Sequence, residues 1–174
     1  EGGKRDPSGD HFERLAGRFR RSFAKACWCD EHNRLCPPEV RTQPDHGGLP
    51  DAEQVLITML PTSPLPRTKQ REILGQIETQ ALGPMGVRKK DPEYGIVESP
   101  LHWAWLAEGL AGNADAGPDF EKAAAVIRPA AALRHAASAG QLYGCYKDGL
   151  PVGNIDPLAA SELLAALERF LGPA

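Results

Sequence analysis

The sequence predicts an all-α fold, and two features of its composition lead to that prediction. Alanine and leucine are abundant while β-branched residues are scarce, a balance that favours helices over strands. The 18 glycines and 16 prolines cluster between segments of helical periodicity rather than inside them. Helices joined by ordered loops produce that distribution, because glycine and proline interrupt regular elements.

The N-terminal third predicts one long helix and one short helix. The first runs from about Asp10 to Cys27, and its apolar residues fall three or four apart in one stripe: Phe12, Leu15, Phe19 and Phe23. Helical periodicity then stops, and Asp30 to Asn33 indicate a turn between two short extended arms. A short second helix is predicted after Pro50-Asp51, a pair that suits a helix start.

Three further helices are predicted to begin at a capping residue followed by proline. Ser63-Pro64 would start the third helix, Ser99-Pro100 the fourth and Asp156-Pro157 the sixth. Gly83-Pro84 would end the third helix. Each start places proline at the first helical position, where its missing N–H is not needed.

The remaining helix is predicted to carry a break. It runs from about Pro118 to Ala139 and contains Pro129, which should kink it or split it. The fourth helix is expected to extend to about Gly112. Six helices joined by loops indicate helical hairpins.

Charge and hydropathy exclude two classes of partner. The net charge is -3 with no basic stripe, so no nucleic acid is expected. No apolar run reaches the roughly 18 residues that a membrane span needs. The N-terminal stretch has no Met and no apolar signal core, so we expect a chain cut from a longer one or a processed one.

The four cysteines are few and unevenly spaced, which predicts reduced thiols and a cytoplasmic location. The alternative is a metal set, since zinc binds thiolates and imidazole: Cys27, Cys29, His32 and Cys36. The C-x-C pair is tighter than the usual C-x2-C, and Cys27 lies on a predicted helix. Buried free cysteine is common, so no metal and no other cofactor is expected.

Possible chemistry concentrates between Ala81 and Leu110. Trp103 and Trp105 are two apart on a predicted helix and point to different faces, so one can pack in the core while the other faces outward. Aromatic rings match the C–H surface of a sugar, and carboxylates match its hydroxyls. Polar residues precede the helix: Arg88, Asp91, Glu93, Tyr94 and Glu98. A sugar platform is one interpretation, and ordinary packing of both tryptophans is the other.

Sugar hydrolysis requires one protonated carboxyl group and one ionised carboxylate on either side of the bond. Glu98 precedes the start of the fourth helix, where the helix dipole favours the ionised form. The alternative is that these carboxylates are solvated or cap helices.

Several segments, taken in order, resemble one family of proteins. The segments are "FRRSFAKACWCDEHNRL", "LPDAEQVLITMLPTSPLPRTKQREIL", "ALGPMGVRKKDPEY", "LHWAWL", "KDGLP" and "ASELLAALERF". Their order from about Phe12 to Leu171 resembles bacterial amylo-α-1,6-glucosidase and glycogen-debranching proteins, which are six-hairpin (α/α)6-toroid glycosidases. The resemblance implies that residues 1–174 form a single helical domain, the C-terminal half of a larger toroid. It also implies hydrolysis of α-glucosidic bonds in a glycogen-like or oligosaccharide substrate.

The resemblance also implies roles for particular residues. Glu98 or Asp148 would be the carboxylate at the sugar, and the binding residues would be Arg88, Tyr94, His102, Trp103 and Trp105. The family carries a Glu, expected to be its catalytic base, shortly before a terminal Asp-Gly or just after a Gly-Leu-Pro. Those places hold Gly144, Cys145 and Val152 here, so either Asp148 substitutes or the base is missing.

The sequence leaves other interpretations open. Half a toroid would leave apolar surface uncovered, which predicts a missing N-terminal half or self-association. A related six-hairpin enzyme such as an α-L-rhamnosidase has the same layout of helices. A non-catalytic helical module that binds sugar or protein is favoured by the missing Glu.

Overall fold

The computed structural model describes residues 7–36, 48–113 and 119–173. The described α-helices are α1 (Pro7–Cys27), α2 (Val55–Met59), α3 (Arg67–Gln80), α4 (Pro100–Gly112), α5 (Phe120–Ile127), α6 (Arg134–Ser138) and α7 (Pro157–Leu171). The strands are β1 (Trp28–Cys29), β2 (Arg34–Leu35), β3 (Leu82–Gly83), β4 (Gly86–Asp91), β5 (Gly95–Ser99), β6 (Tyr143–Lys147) and β7 (Leu150–Ile155). Two 3-10 segments, Ala52–Gln54 and Arg128–Leu133, precede α2 and α6.

The prediction of an all-α fold built from toroid hairpins is wrong, because the chain also forms sheets. An antiparallel sheet has the order β3-β4-β5-β6-β7, and β1 pairs with β2. The fold is therefore of the α+β class. The error arose from treating the glycine-, proline- and charge-rich segments as loops between helices, whereas two of them are β-hairpins.

The two hairpins of the larger sheet have different turns. Strands β4 and β5 pair from Val87 opposite Ser99 to Asp91 opposite Gly95. Strands β6 and β7 turn through Asp148 and Gly149, whose φ angles are 51° and 78°. Two successive positive φ angles are what a tight two-residue hairpin needs, because that turn matches the right-handed twist of the strands.

A single pairing joins the two hairpins. Glu98 of β5 lies opposite Tyr146 of β6, although the chain passes through α4, α5 and α6 between them. The sheet thus brings the turn at 91–95 and the strands β6 and β7 into one part of the molecule. This juxtaposition positions the candidate site.

Helix α4 lies at the centre of the core. It packs against α2, α3, α5, α7 and the strands β4 and β6. Its buried residues include Trp103, Leu106 and Ala107, which meet the apolar faces of its neighbours. The largest buried side chains of α3 and α7 are Ile73, Leu74, Ile77, Leu163 and Leu167. One continuous core therefore holds the helices together and supports the sheet.

Several predicted helix boundaries are confirmed. Helix α4 begins right after Ser99, and α7 begins after Asp156, whose Oδ1 accepts the N–H groups of Leu158 and Ala159. The break at Pro129 is confirmed, because a 3-10 segment separates α5 from α6. The predicted start of that helix at Pro118 lies outside the described residues.

The third helix departs from its prediction at both ends. Helix α3 begins at Arg67 and not at Ser63-Pro64, and Ser63 Oγ instead accepts the N–H of Leu65 at 3.3 Å. The helix ends at Gln80, and Leu82–Gly83 is already strand β3. The serine therefore stabilises a turn before the helix and does not cap it.

Helix α1 has the predicted apolar stripe, but most of that stripe is uncovered by described residues. Phe12 is 68% exposed and Phe19 is 58% exposed, while Phe23 packs against the core. The extended arms predicted after α1 are confirmed as β1 and β2. No helix within the described ranges is long and apolar enough to cross a membrane.

Candidate functional site

Glu98 is held by the turn between β3 and β4. The backbone N–H of Met85 donates to its Oε2 at 2.9 Å, and Arg88 Nε lies 3.6 Å from its Oε1. The carboxylate lies directly over Gly83, where any side chain would collide with it. Its side chain is 14% exposed while that of Arg88 is 45% exposed. Glu98 therefore fixes a turn, and Arg88 partly covers it.

Asp148 lies elsewhere on the sheet. It occupies the turn between β6 and β7, two residues beyond Tyr146, and its side chain is exposed. Glu98 thus contacts the turn between β3 and β4 while Asp148 is part of the turn between β6 and β7, and the role of either as the carboxylate at the sugar stays a prediction.

The aromatic helix start is mostly internal. Trp103 is buried in the core, and Trp105 is partly buried and packs against it. The His102 ring meets Trp105 edge-on at 4.9 Å, and its Nδ1 lies 2.9 Å from Ser99 Oγ. Burial, with the nearby Lys89 charge, lowers the pKa of His102 to about 4. His102 is therefore a neutral core residue at pH 7.

Tyr94 lies in a different environment, an open cleft of about 300 Å3. We call it the Tyr94 cleft, and its main lining residues are Asp91, Tyr94, Gly144, Cys145, Val152, Asn154 and Asp156. The last residue of β4 and the turn after it supply Asp91 and Tyr94, and β6, β7 and the residue before α7 supply the others. The cleft therefore exists only because the sheet places the two hairpins side by side.

Asp91 fixes the tyrosine in place. Its Oδ1 accepts the N–H groups of Glu93 and Tyr94, both at 2.9 Å. These bonds, that of Tyr94 first, lower the pKa of Asp91. The carbonyl of Tyr94 accepts a hydrogen bond from Lys147 Nζ at 2.9 Å, which ties the turn to the second hairpin. A hydrogen bond with the Glu93 side chain raises the pKa of the Tyr94 hydroxyl.

The opposite wall of the cleft carries a thiol and a second carboxylate. Cys145 is partly buried, and burial raises the pKa of its thiol. Asp156 uses Oδ1 to cap α7, while its side chain still lines the cleft. The sequence predicted Cys145 as a reduced thiol and as a departure from the family, and it gave no indication of Asn154. The Asp148-Gly149 pair was the available signal, because it predicts a hairpin that places β7 beside β6.

The cysteines near the end of α1 form no described metal site. Cys27 lies opposite Cys36, whose N–H donates to the Cys27 carbonyl at 2.7 Å. Burial raises the pKa of the Cys36 thiol. Among the described residues, no three His, Cys, Asp or Glu side chains are grouped closely enough to hold a metal ion.

Comparison of the chain with protein-family models, with curated proteins and with solved structures gives no match. The resemblance to the debranching glucosidases therefore stays a prediction that rests on the sequence segments.

Proposed function

We propose that this protein binds a short α-glucan oligosaccharide in the Tyr94 cleft and does not hydrolyse it. One observation carries the proposal. Gly144, Cys145 and Val152 stand where the resembling family has its catalytic base, and all three line the cleft together with Tyr94. Segments far apart in the chain, which were matched to the family separately, thus converge on one concavity.

The side chains of the cleft suit a sugar. The Tyr94 ring is partly exposed and offers an apolar surface to the C–H groups of a pyranose. Asp91 and Asp156 each use Oδ1 on backbone N–H groups, so their Oδ2 atoms can accept sugar hydroxyls. A volume of about 300 Å3 is at the lower limit of the usual range for small-molecule sites, so a short oligosaccharide fits best.

The two carboxylates of this cleft, Asp91 and Asp156, both accept backbone N–H groups, an arrangement that favours binding over hydrolysis. A glycosidase needs a carboxyl group whose pKa is raised so that it can donate a proton, and a second carboxylate across the bond. The pKa of Asp91 is shifted in the opposite direction by its backbone donors. Cys145 brings a thiol whose pKa burial raises, and Glu98 is engaged by Met85 and Arg88. Because a rhamnosidase also hydrolyses a glycosidic bond, the same arrangement argues against the related α-L-rhamnosidase activity.

A cytoplasmic location stays a prediction.

The test is an NMR titration of the labelled protein with maltotriose, compared between the native chain and three variants. Loss of a stacking aromatic is worth roughly 0.5–1.5 kcal/mol, so Tyr94→Ala should weaken binding about two- to tenfold. Tyr94→Phe keeps the ring and should retain most of the affinity. Phe12→Ala, which removes an exposed ring outside the cleft, should leave affinity unchanged.

Three results would contradict the proposal. Absence of maltotriose-induced chemical-shift changes at the backbone amides of residues 91–94 and 144–154 would show that the cleft does not bind the sugar. Steady release of glucose from maltotriose, lost in the Tyr94→Ala variant, would show that the cleft is catalytic. A parallel titration with rhamnose oligomers tests the specificity, and equal binding would overturn the assignment to α-glucans.

A further inference from the structure

A larger cleft lies at the C-terminal end of α4, away from the sheet. Its volume is about 550 Å3, and α1, α3, α4, α7 and the segment that joins α2 to α3 contribute to it. We call it the arginine cleft, and its key residues are Arg20, Arg67, Gln70, Glu108, Asn113 and Arg169. It shares no lining residue with the Tyr94 cleft.

The charges of this cleft are unbalanced. Arg169 forms an ion pair with Glu108 and lies over the rings of Phe120 and Phe170. The guanidinium groups of Arg20 and Arg67 are both exposed, and they make no ion pair or hydrogen bond with any other described residue. Two guanidinium groups from different helices therefore line one concavity without a counter-charge from the described part of the chain. Guanidinium groups present planar, paired donors that match a phosphate.

Two buried amides supply acceptors in the same cleft. Gln70 is 7% exposed and Asn113 is 6% exposed. The NH2 group of Gln70 donates to the Leu65 carbonyl at 2.7 Å, and that of Asn113 donates to the carbonyls of Thr58 and Gly109 at 3.1 and 2.9 Å. These bonds fix the orientation of both amides: Asn113 uses both of its N–H donors and Gln70 uses one, and the amide oxygens can accept hydrogen bonds from a ligand.

We infer that the arginine cleft binds a phosphorylated sugar. Arg20 and Arg67 would hold the phosphate, whose charge of roughly -1.5 to -2 matches two unpaired cations. The amide oxygens of Gln70 and Asn113 would accept hydroxyl groups of the sugar. A volume of about 550 Å3 lies well within the usual range for a small-molecule site. This site is independent of the proposed function, because it takes an anionic ligand and uses different residues.

The test is an NMR titration of the whole chain with glucose 6-phosphate, with glucose, glucuronate and inorganic phosphate as separate probes. Glucose 6-phosphate should bind at least about tenfold more tightly than each of the others. Arg20→Gln and Arg67→Gln should each weaken glucose 6-phosphate about tenfold or more, since a hydrogen bond to a charged group is worth that much. Arg18→Gln removes an exposed arginine from the same helix outside the cleft and should change affinity less than about twofold.

Five outcomes would overturn the inference. Glucose binding as tightly as its phosphate would show that the arginines do not select an anion. Inorganic phosphate binding as tightly as glucose 6-phosphate would show that the sugar is not recognised. Glucuronate binding as tightly would show that the phosphate group is not what the cleft selects. An equal loss of glucose 6-phosphate affinity in Arg18→Gln would show that the effect comes from overall charge and not from the cleft. Failure of every probe to bind would show that the cleft is not a binding site. Tyr94→Ala should leave glucose 6-phosphate affinity unchanged, which separates this test from that of the Tyr94 cleft.

Discussion

Helices α1 and α4 use apolar residues in opposite ways. Helix α4 is apolar on several faces, and other elements cover it, so Leu106 is 0% exposed. Helix α1 concentrates its apolar residues in one stripe, yet Leu15 on that stripe is 44% exposed. An apolar stripe is therefore not sufficient for burial, which depends on what the rest of the chain places against the helix. The two helices should consequently respond very differently to the same substitution.

The largest expected difference comes from the same substitution, leucine to alanine, in both helices. Leu106→Ala should reduce the free energy of unfolding by roughly 2–5 kcal/mol, because it removes a fully buried side chain and leaves a cavity. Leu15→Ala should reduce it by less than about 1 kcal/mol. Urea unfolding followed by circular dichroism measures both values. Similar losses in the two variants would mean that α1 is covered as fully as α4.

The next effect concerns pH and the start of α4. His102 stays neutral in the folded protein, whereas the unfolded chain takes up a proton as the pH falls through about 6.5. Stability from this residue is therefore fully present above pH 6.5 and is lost as the pH falls to about 4. A pKa lowered from 6.5 to about 4 corresponds to a loss of about 3 kcal/mol.

The substitution His102→Asn tests this expectation, because the amide can keep a hydrogen bond to Ser99 and does not titrate. Unfolding free energies at pH 7 and pH 4.5 should differ by less in this variant than in the native chain. His11→Asn on α1 removes an exposed imidazole and is the matched control. An unchanged pH dependence in His102→Asn would assign acid sensitivity to other groups.

The smallest effect is expected on the exposed stripe of α1. Phe12→Ser should change the free energy of unfolding by no more than about 0.5 kcal/mol, since the ring is already in water. It should lower the binding of a hydrophobic dye, because it breaks up an exposed apolar surface. Loss of stability well above that value, at constant protein concentration, would show that something covers the stripe in solution.

The helices of this chain could be predicted where local chemistry decides them. The starts of α4 and α7 follow from a capping position and a proline, which act within one turn. The strands were missed for a different reason. Asp148-Gly149 is a strong hairpin signal by itself, but the β4–β5 hairpin has no such pair and its strands carry many charges.

The candidate site was only partly predictable, because long-range pairing builds it. Tyr94 was named from its local surroundings, and it does line a cleft. The facing wall depends on Glu98 pairing with Tyr146, across three intervening helices, which no local pattern reveals. The burial of Trp103 was equally hidden, because two tryptophans at helical spacing do not indicate which one the core will enclose.

The contact of Glu98 with Gly83 has a consequence for how this sequence can change over time. A methyl group at position 83 would displace the flexible carboxylate from Met85 and Arg88, although Glu98 itself would be unaltered. Gly83→Ala and Glu98→Ala therefore remove the same interactions, and the double variant should lose less than the sum of the two losses. Natural selection therefore acts on positions 83 and 98 together. Once either residue has changed, the other no longer supports the turn and can change without further loss.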